Sequence, residues 1–209
     1  SMHREKEVII IGGGLAGLVN AIHLSKQGIN VLVIEKNEYP KHKVCGEYIS
    51  NEVLPYLNSL GVNPIEKGAK KITKFAISTV KSKLIEAKLP LGGFGISRYA
   101  LDHLLAEKAI ENGVEILEDE VVDVSFEKDV FTILTKHEKQ FEAKIVIGAY
   151  GKRANIDVQL KRKFIKNESP FLAVKKHVKG NFPENIVVAL IQFVVNLMLL
   201  DSKRETLFY

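Results

Sequence analysis

"VIIIGGGLAGLVNAIHLSKQGINVLVIEK" runs from Val8 to Lys36, and the rest of the chain is read outward from it. Glu7 to Ile11 is a short β-branched run that breaks on three glycines, the pattern of a strand entering a tight turn. Leu15 to Gln27 then carries apolar residues at helical spacing and stops at Gly28. "VLVIE", Val31 to Glu35, is continuously apolar until its last residue, as expected of a parallel strand covered on both faces. Strand, turn, helix and strand make one βαβ unit, the nucleus of an α/β fold with a parallel sheet.

The glycines fit Gly-x-Gly-x-x-Gly at Gly12, Gly14 and Gly17, and the pattern continues with Ala21, Gly28 and Glu35. Gly12 permits the turn, Gly14 leaves room for a pyrophosphate to approach the backbone, and Gly17 lets the helix pack on the strand. The N–H groups of the helix start, Leu15 and Ala16 among them, and the positive end of the helix dipole then face the phosphates. Glu35, followed by Lys36, ends the second strand where a carboxylate can accept hydrogen bonds from adenosine ribose hydroxyls. An acid there disfavours a ribose 2′-phosphate, so the residues point to FAD or NAD and away from NADP.

Beyond this unit, Asn37 to Gly46 is a polar loop, and a helix is expected near Asn51 to Leu60, ending at Gly61. Lys74 to Leu91 alternates with a period of two, the mark of antiparallel strands. "SRYALDHLLAEKAIENG", Ser97 to Gly113, returns to helical periodicity with Ser97 as N-cap. "VEIL" (Val114 to Leu117) offers a third parallel strand, Val121 to Lys144 an antiparallel set, and "IVIGAYG" (Ile145 to Gly151) a buried strand ending at a glycine turn. The organisation expected is a discontinuous Rossmann-like domain over residues 1–73 and 96–157, with part of an antiparallel β layer over 74–95 and 158–209.

Composition bounds the class. In 209 residues, 46% hydrophobic and 26% charged residues describe a globular chain able to bury a core, which excludes wholesale disorder. The net charge of +5 is spread along the chain; its densest patches, Lys67–Lys74 and Lys161–Lys166, lack interleaved aromatics and read as solvated faces, not nucleic-acid sites. Cys45 stands alone, so no internal disulfide forms, and a reducing, cytoplasmic setting is expected. The polar N-terminus leaves no room for a signal peptide, and Ser1 before Met2 reads as a cloning remnant. Ile186 to Leu200 is 15 residues long and interrupted by Gln192 and Asn196, against roughly 20 apolar residues for a spanning helix. It reads as a buried strand or helix. The six histidines have no Ser or Asp partner at a diagnostic spacing, so neither a hydrolytic triad nor a metal site is expected.

Three further stretches resemble one family, the FAD-dependent oxidoreductases of the para-hydroxybenzoate hydroxylase fold, in its geranylgeranyl reductase-like branch. "YPKHKVCGEYIS" (Tyr39 to Ser50) is similar to the segment after the second strand, with its Cys-Gly pair. "GISRYALDHLLAEKA" (Gly95 to Ala109) resembles the Arg-x-x-Leu-Asp-x-x-Leu helix start, and "VIGAYGKRANID" (Val146 to Asp157) a motif usually written Gly-Ala-Asp-Gly. The resemblance covers roughly residues 7–157. It implies FAD over NAD, with adenine toward Glu35 and the strand near Val122, Arg98 approaching the cofactor, and Ala149 and Gly151 contacting it.

Read on their own, these residues leave alternatives. Arg98 offers a planar fork for a phosphate or ribose oxygen, or else pairs with Asp102 one turn on. Cys45 either sits near the flavin or substrate, as the one catalytic candidate, or fills buried space. The chain also departs from the family. Tyr150 replaces the motif's Asp, and the Gly-Asp motif that binds the flavin side is missing before Tyr209, as in a truncated or frame-altered version of a longer protein. Exposed strand edges would then favour self-association. What the resemblance implies is a flavin-dependent reductase of isoprenoid-like or lipid-like double bonds with NAD(P)H as electron donor. The alternatives are an aromatic-type monooxygenase, an FAD-binding fragment without turnover, and an NAD-binding module.

Overall fold

The computed structural model describes residues 5–41, 47–78, 83–151, 176–178, 185–191, 196–200 and 206–208. Its elements follow the local chemistry. The β-branched run forms β1 (Glu5–Ile11), whose last four residues are buried. Helix α1 (Leu15–Lys26) turns Gly17, Leu18, Ala21 and Ile22 inward and ends where Gly28 takes φ +80°. Strand β2 (Val31–Glu35) is buried along its whole length and runs parallel to β1, Val8 opposite Val31 and Ile11 opposite Ile34.

The chain continues through β3 (Tyr48–Ser50), α2 (Leu54–Ser59), β4 (Lys70–Ser78), β5 (Leu84–Gly95) and α3 (Arg98–Glu111). Strands β6 (Glu115–Glu118), β7 (Val121–Glu127), β8 (Val130–Thr135) and β9 (Gln140–Gly148) follow. Four short strands close it: β10 (Lys176–Val178), β11 (Ile186–Ile191), β12 (Asn196–Leu200) and β13 (Thr206–Phe208). Ser97 caps α3 as expected, its hydroxyl accepting the Ala100 N–H at 3.1 Å.

Two compact units divide the chain. The first, Ser1–Lys41 with Asp102–Glu168, holds a six-stranded sheet in the order β6-β2-β1-β9-β8-β7. Strands β6, β2, β1 and β9 are parallel, whereas β9-β8 and β8-β7 are antiparallel. Strand β9 therefore joins the two patterns. Its first half pairs with β8 from Gln140 to Ala143, and it pairs with β1 from Glu142 to Gly148. Ile9, Ile11, Leu32, Ile34, Leu117, Ile133, Phe141 and Ala143 form one core cluster. At about 1.5–3 kcal/mol for each fully buried large aliphatic side chain, this cluster is a principal source of the unit's stability.

The second unit, His42–Leu101 with Ser169–Tyr209, carries a five-stranded sheet in the order β12-β11-β4-β5-β3. Phe94, Ile72 and Ala76 are among its buried residues. Strands β4 and β5 are antiparallel, as the alternation predicts, while β11 joins β4 in parallel. The structure refines three sequence expectations. The helix expected over Asn51 to Leu60 is a 3-10 turn, Asn51–Val53, followed by α2, with Pro55 in its first turn. Residues read as an antiparallel segment and a separate buried strand are the single strand β9. The described residues within Ile186 to Leu200 form not one strand or helix but the antiparallel pair β11 and β12.

Candidate functional site

Three strand ends converge in the first unit. The Gly12 N–H donates to the Ile34 carbonyl at 2.9 Å, and the Ala149 N–H to the Ile11 carbonyl at 2.7 Å. The glycine turn thus sits between the ends of β2 and β9. Gly12 has φ +103°, and a Cβ there would lie 2.5 Å from the Ala149 carbonyl oxygen. At Gly17 a Cβ would fall 1.9 Å from the Gly12 carbonyl oxygen. These are two of the fingerprint's three demands, a left-handed turn and a close helix crossing. Gly14 is the N-cap of α1, and Leu15 and Ala16 open the helix, Ala16 exposed and Leu15 half-buried.

Glu35 is 8% exposed and forms the hub of the site. One carboxylate oxygen accepts the Gly13 N–H at 2.7 Å; the other accepts the Asn37 N–H at 3.0 Å and its side-chain amide at 2.6 Å. A carboxylate offers about four acceptor positions, so three donors leave one open. Lys36, the next residue, is exposed. The Tyr39 hydroxyl donates to the Gly13 carbonyl and occupies the space that a side chain on Gly13 would need. Burial, then the Glu35 and Asp102 carboxylates, hold the Tyr39 phenol well above its ordinary pKa, so it stays a donor. Asn37 and Tyr39 were not singled out in the sequence; only Asn37, two residues past the acid, carried even a turn signal.

A cavity of about 330 Å³ adjoins this hub. Ala106, Ile110 and Ile116 form its apolar part, and Glu35, Glu38, Glu107 and Glu118 line it with carboxyl groups. Such a wall disfavours an additional phosphate beside Glu35. On the far side of Glu35, the β7-β8 register shifts between Val121 and Asp123, leaving Val122 as an extra residue in β7. A bulge of this kind takes a residue's backbone groups out of the ladder, and bulges recur beside binding sites.

The remaining sequence candidates fall in different places. Ala149 lies on Gly12 and is half-buried; Gly151 is exposed with φ +79°. Tyr150 packs against the core cluster, its ring 2.9 Å from where a Cβ on Gly148 would stand. Arg98 begins α3 in the second unit, half-buried, its N–H donating to a Glu47 carboxylate oxygen at 3.1 Å. Asp102, one turn on, is 1% exposed. Glu47 is itself buried, with φ +52°, and was not singled out in the sequence. Cys45 lies outside the described residues. Among the described residues, no group of three or more His, Cys, Asp or Glu is placed to hold a metal ion, and no helix is long and apolar enough to cross a membrane.

A family model described as an FAD binding domain matches residues 5–194. The chain belongs to the FAD binding domain family. Members similar to it carry out different chemistry. A digeranylgeranylglycerophospholipid reductase of Methanococcus aeolicus is 27% identical over 158 residues, covering 73% of this chain and 39% of the reductase. A 1H-pyrrole-2-carbonyl-[peptidyl-carrier protein] brominase of Pseudoalteromonas luteoviolacea is 28% identical, covering 81% of this chain and 38% of the brominase. A halogenase whose crystal structure holds phloroglucinol and FAD superposes with a TM-score of 0.78 at 17% identity, covering 97% of this chain and 50% of the halogenase. The chain thus spans about two fifths of the curated relatives and half of that structure. The fold and the flavoprotein family follow from these matches.

Proposed function

We propose that the first unit binds the ADP half of FAD and that the chain serves a flavin-dependent reduction of isoprenoid-like or lipid-like double bonds. The observation that carries the cofactor reading is the hub at the strand ends: a glycine turn with the geometry the fingerprint requires, closed by a buried Glu35 on the Gly13 N–H. The residues fit the group. Gly12, Gly14, Leu15, Ala16 and Gly17 would hold the pyrophosphate through backbone N–H groups at the start of α1. Glu35 would take a ribose hydroxyl on its open acceptor position, with Lys36, Val122, Ala149 and Gly151 around the nucleotide.

FAD, when bound, would supply two-electron redox chemistry, with NAD(P)H as the proposed electron donor. The protein's own residues bind and orient it. On the family resemblance alone, Arg98 is the further candidate for a cofactor contact and Cys45 the candidate for catalysis. The reductase among the relatives supports reduction over the alternatives. Similarity to a 6-hydroxy-3-succinoylpyridine 3-monooxygenase of Pseudomonas putida, 41% identical over 61 residues, supports the second reading, chemistry of the monooxygenase type. A cytoplasmic setting, a small-molecule substrate and self-association through strand edges complete the proposal.

Oxygen consumption during turnover with NAD(P)H and a polyprenyl lipid separates the two. Double-bond saturation without oxygen uptake is expected. Oxygen consumed in step with product would overturn reduction in favour of oxygenation.

A further inference from the structure

Strand β6 ends at Glu118, which lies opposite Glu35 in the sheet register. The next residue, Asp119, donates its N–H to the Glu35 carbonyl at 3.0 Å. Its side chain is fully buried, yet it is a carboxylate. One oxygen accepts the Glu120 N–H at 2.8 Å and lies 2.8 Å from Nδ1 of His137, while the other is buried without a hydrogen-bond partner. His137 stands on the β8-β9 turn with a side chain 72% exposed. A second tie runs parallel to the first, from the Lys136 N–H to the Glu120 carbonyl at 2.8 Å. The segment from Asp119 to the Val122 bulge is therefore pinned at one end to the ribose acid and along its length to a surface turn.

Burying a carboxylate with an oxygen left over is costly, and a core side chain would stabilise this corner better. Such a group persists where its geometry serves something other than packing. We propose that Asp119, held by His137, is a positioning residue for the nucleotide: the pair fixes the Asp119–Val122 segment, and with it the main chain at Val122 and Glu35, as one wall of the adenosine site. The pair acts through the backbone and does not touch the ligand, because the Asp119 side chain has no exposed surface. This inference rests on the reading of the first unit as an FAD site.

The test measures dissociation constants of AMP and of FAD for the wild-type chain, His137→Ala, His137→Asn and Asp119→Asn. The exposed histidine is the informative position, since its removal spares the core. Losing one charge-assisted hydrogen bond is expected to weaken AMP and FAD alike by roughly tenfold in His137→Ala. His137→Asn, whose amide donates from nearly the same place as Nδ1, restores binding to within about twofold of wild type, a rescue that general destabilisation would not give. Asp119→Asn weakens both ligands. Wild-type affinity in all three variants, or equal losses in His137→Ala and His137→Asn, would overturn the positioning role and leave the FAD reading standing. A wild-type chain that binds neither AMP nor FAD would overturn that reading and this inference with it.

Discussion

At Glu35, charge and hydrogen-bond count decide the outcome of substitution. Glu35→Gln keeps one carbonyl acceptor but turns an NH₂ toward the Gly13 N–H or the Asn37 donors, so a donor faces a donor. Hydrogen bonds to charged groups contribute about 1.5–3 kcal/mol each, which predicts FAD binding weakened roughly ten- to a hundredfold, measured by flavin fluorescence titration. Gly17→Ala acts through space instead. Its Cβ would meet a backbone carbonyl at 1.9 Å, which no rotamer can relieve. The expected loss is about 3 kcal/mol, the upper end for overpacking, read from a denaturant midpoint. Both residues were legible in the sequence because the fingerprint states their mechanics. Tyr39 and Asp119 were not, since their partners, Gly13 and His137, are fixed only by tertiary structure.

At the scale of elements, the sheet is tied together by ionisable groups as well as by its core. Lys6 of β1 has a fully buried side chain paired with Glu115 of β6 at 2.5 Å, and β2 lies between the two strands. Glu115→Ala leaves a buried ammonium without its carboxylate and is expected to cost about 3 kcal/mol in urea unfolding. Lys6→Met with Glu115→Leu recovers most of that loss, because no buried charge remains. The Asp119 tie between β6 and the β8-β9 turn adds a pH dependence. Burial pushes the Asp119 carboxyl up, but hydrogen bonds from His137 and the Glu120 N–H, with the nearby Thr135 hydroxyl and the His137 charge, outweigh it and hold the group below its ordinary value. A lowered carboxyl pKa contributes stability that is complete above the unfolded value of about 3.9 and is lost as pH falls through the folded value. The stability difference between wild type and Asp119→Asn should therefore shrink on acidification below about pH 4, as followed by unfolding free energies. Periodicity found the parallel core because β2 is apolar up to Glu35. It divided β9 in two because that strand changes partner and pairing sense midway, which leaves no mark in hydrophobic pattern.

For the whole molecule, which spans about two fifths of its curated relatives, we propose a half-site that holds the ADP part of FAD. The α/β class, the fingerprint and the antiparallel β4-β5 layer were all readable from residues, because each rests on local spacing. Cofactor choice was not local. FAD and NAD share the ADP half, and the family match over residues 5–194 separates them where the glycines do not. Tyr150, in place of the motif's acid, shows the same limit: it packs on the core, a role that no sequence motif specifies. The most direct measurement is thermal unfolding of the purified chain with FAD, NADH or no ligand, since a ligand that binds only the folded state raises the midpoint. FAD raising the midpoint, with NADH leaving it unchanged, is the predicted result; protection by NADH without protection by FAD would contradict it.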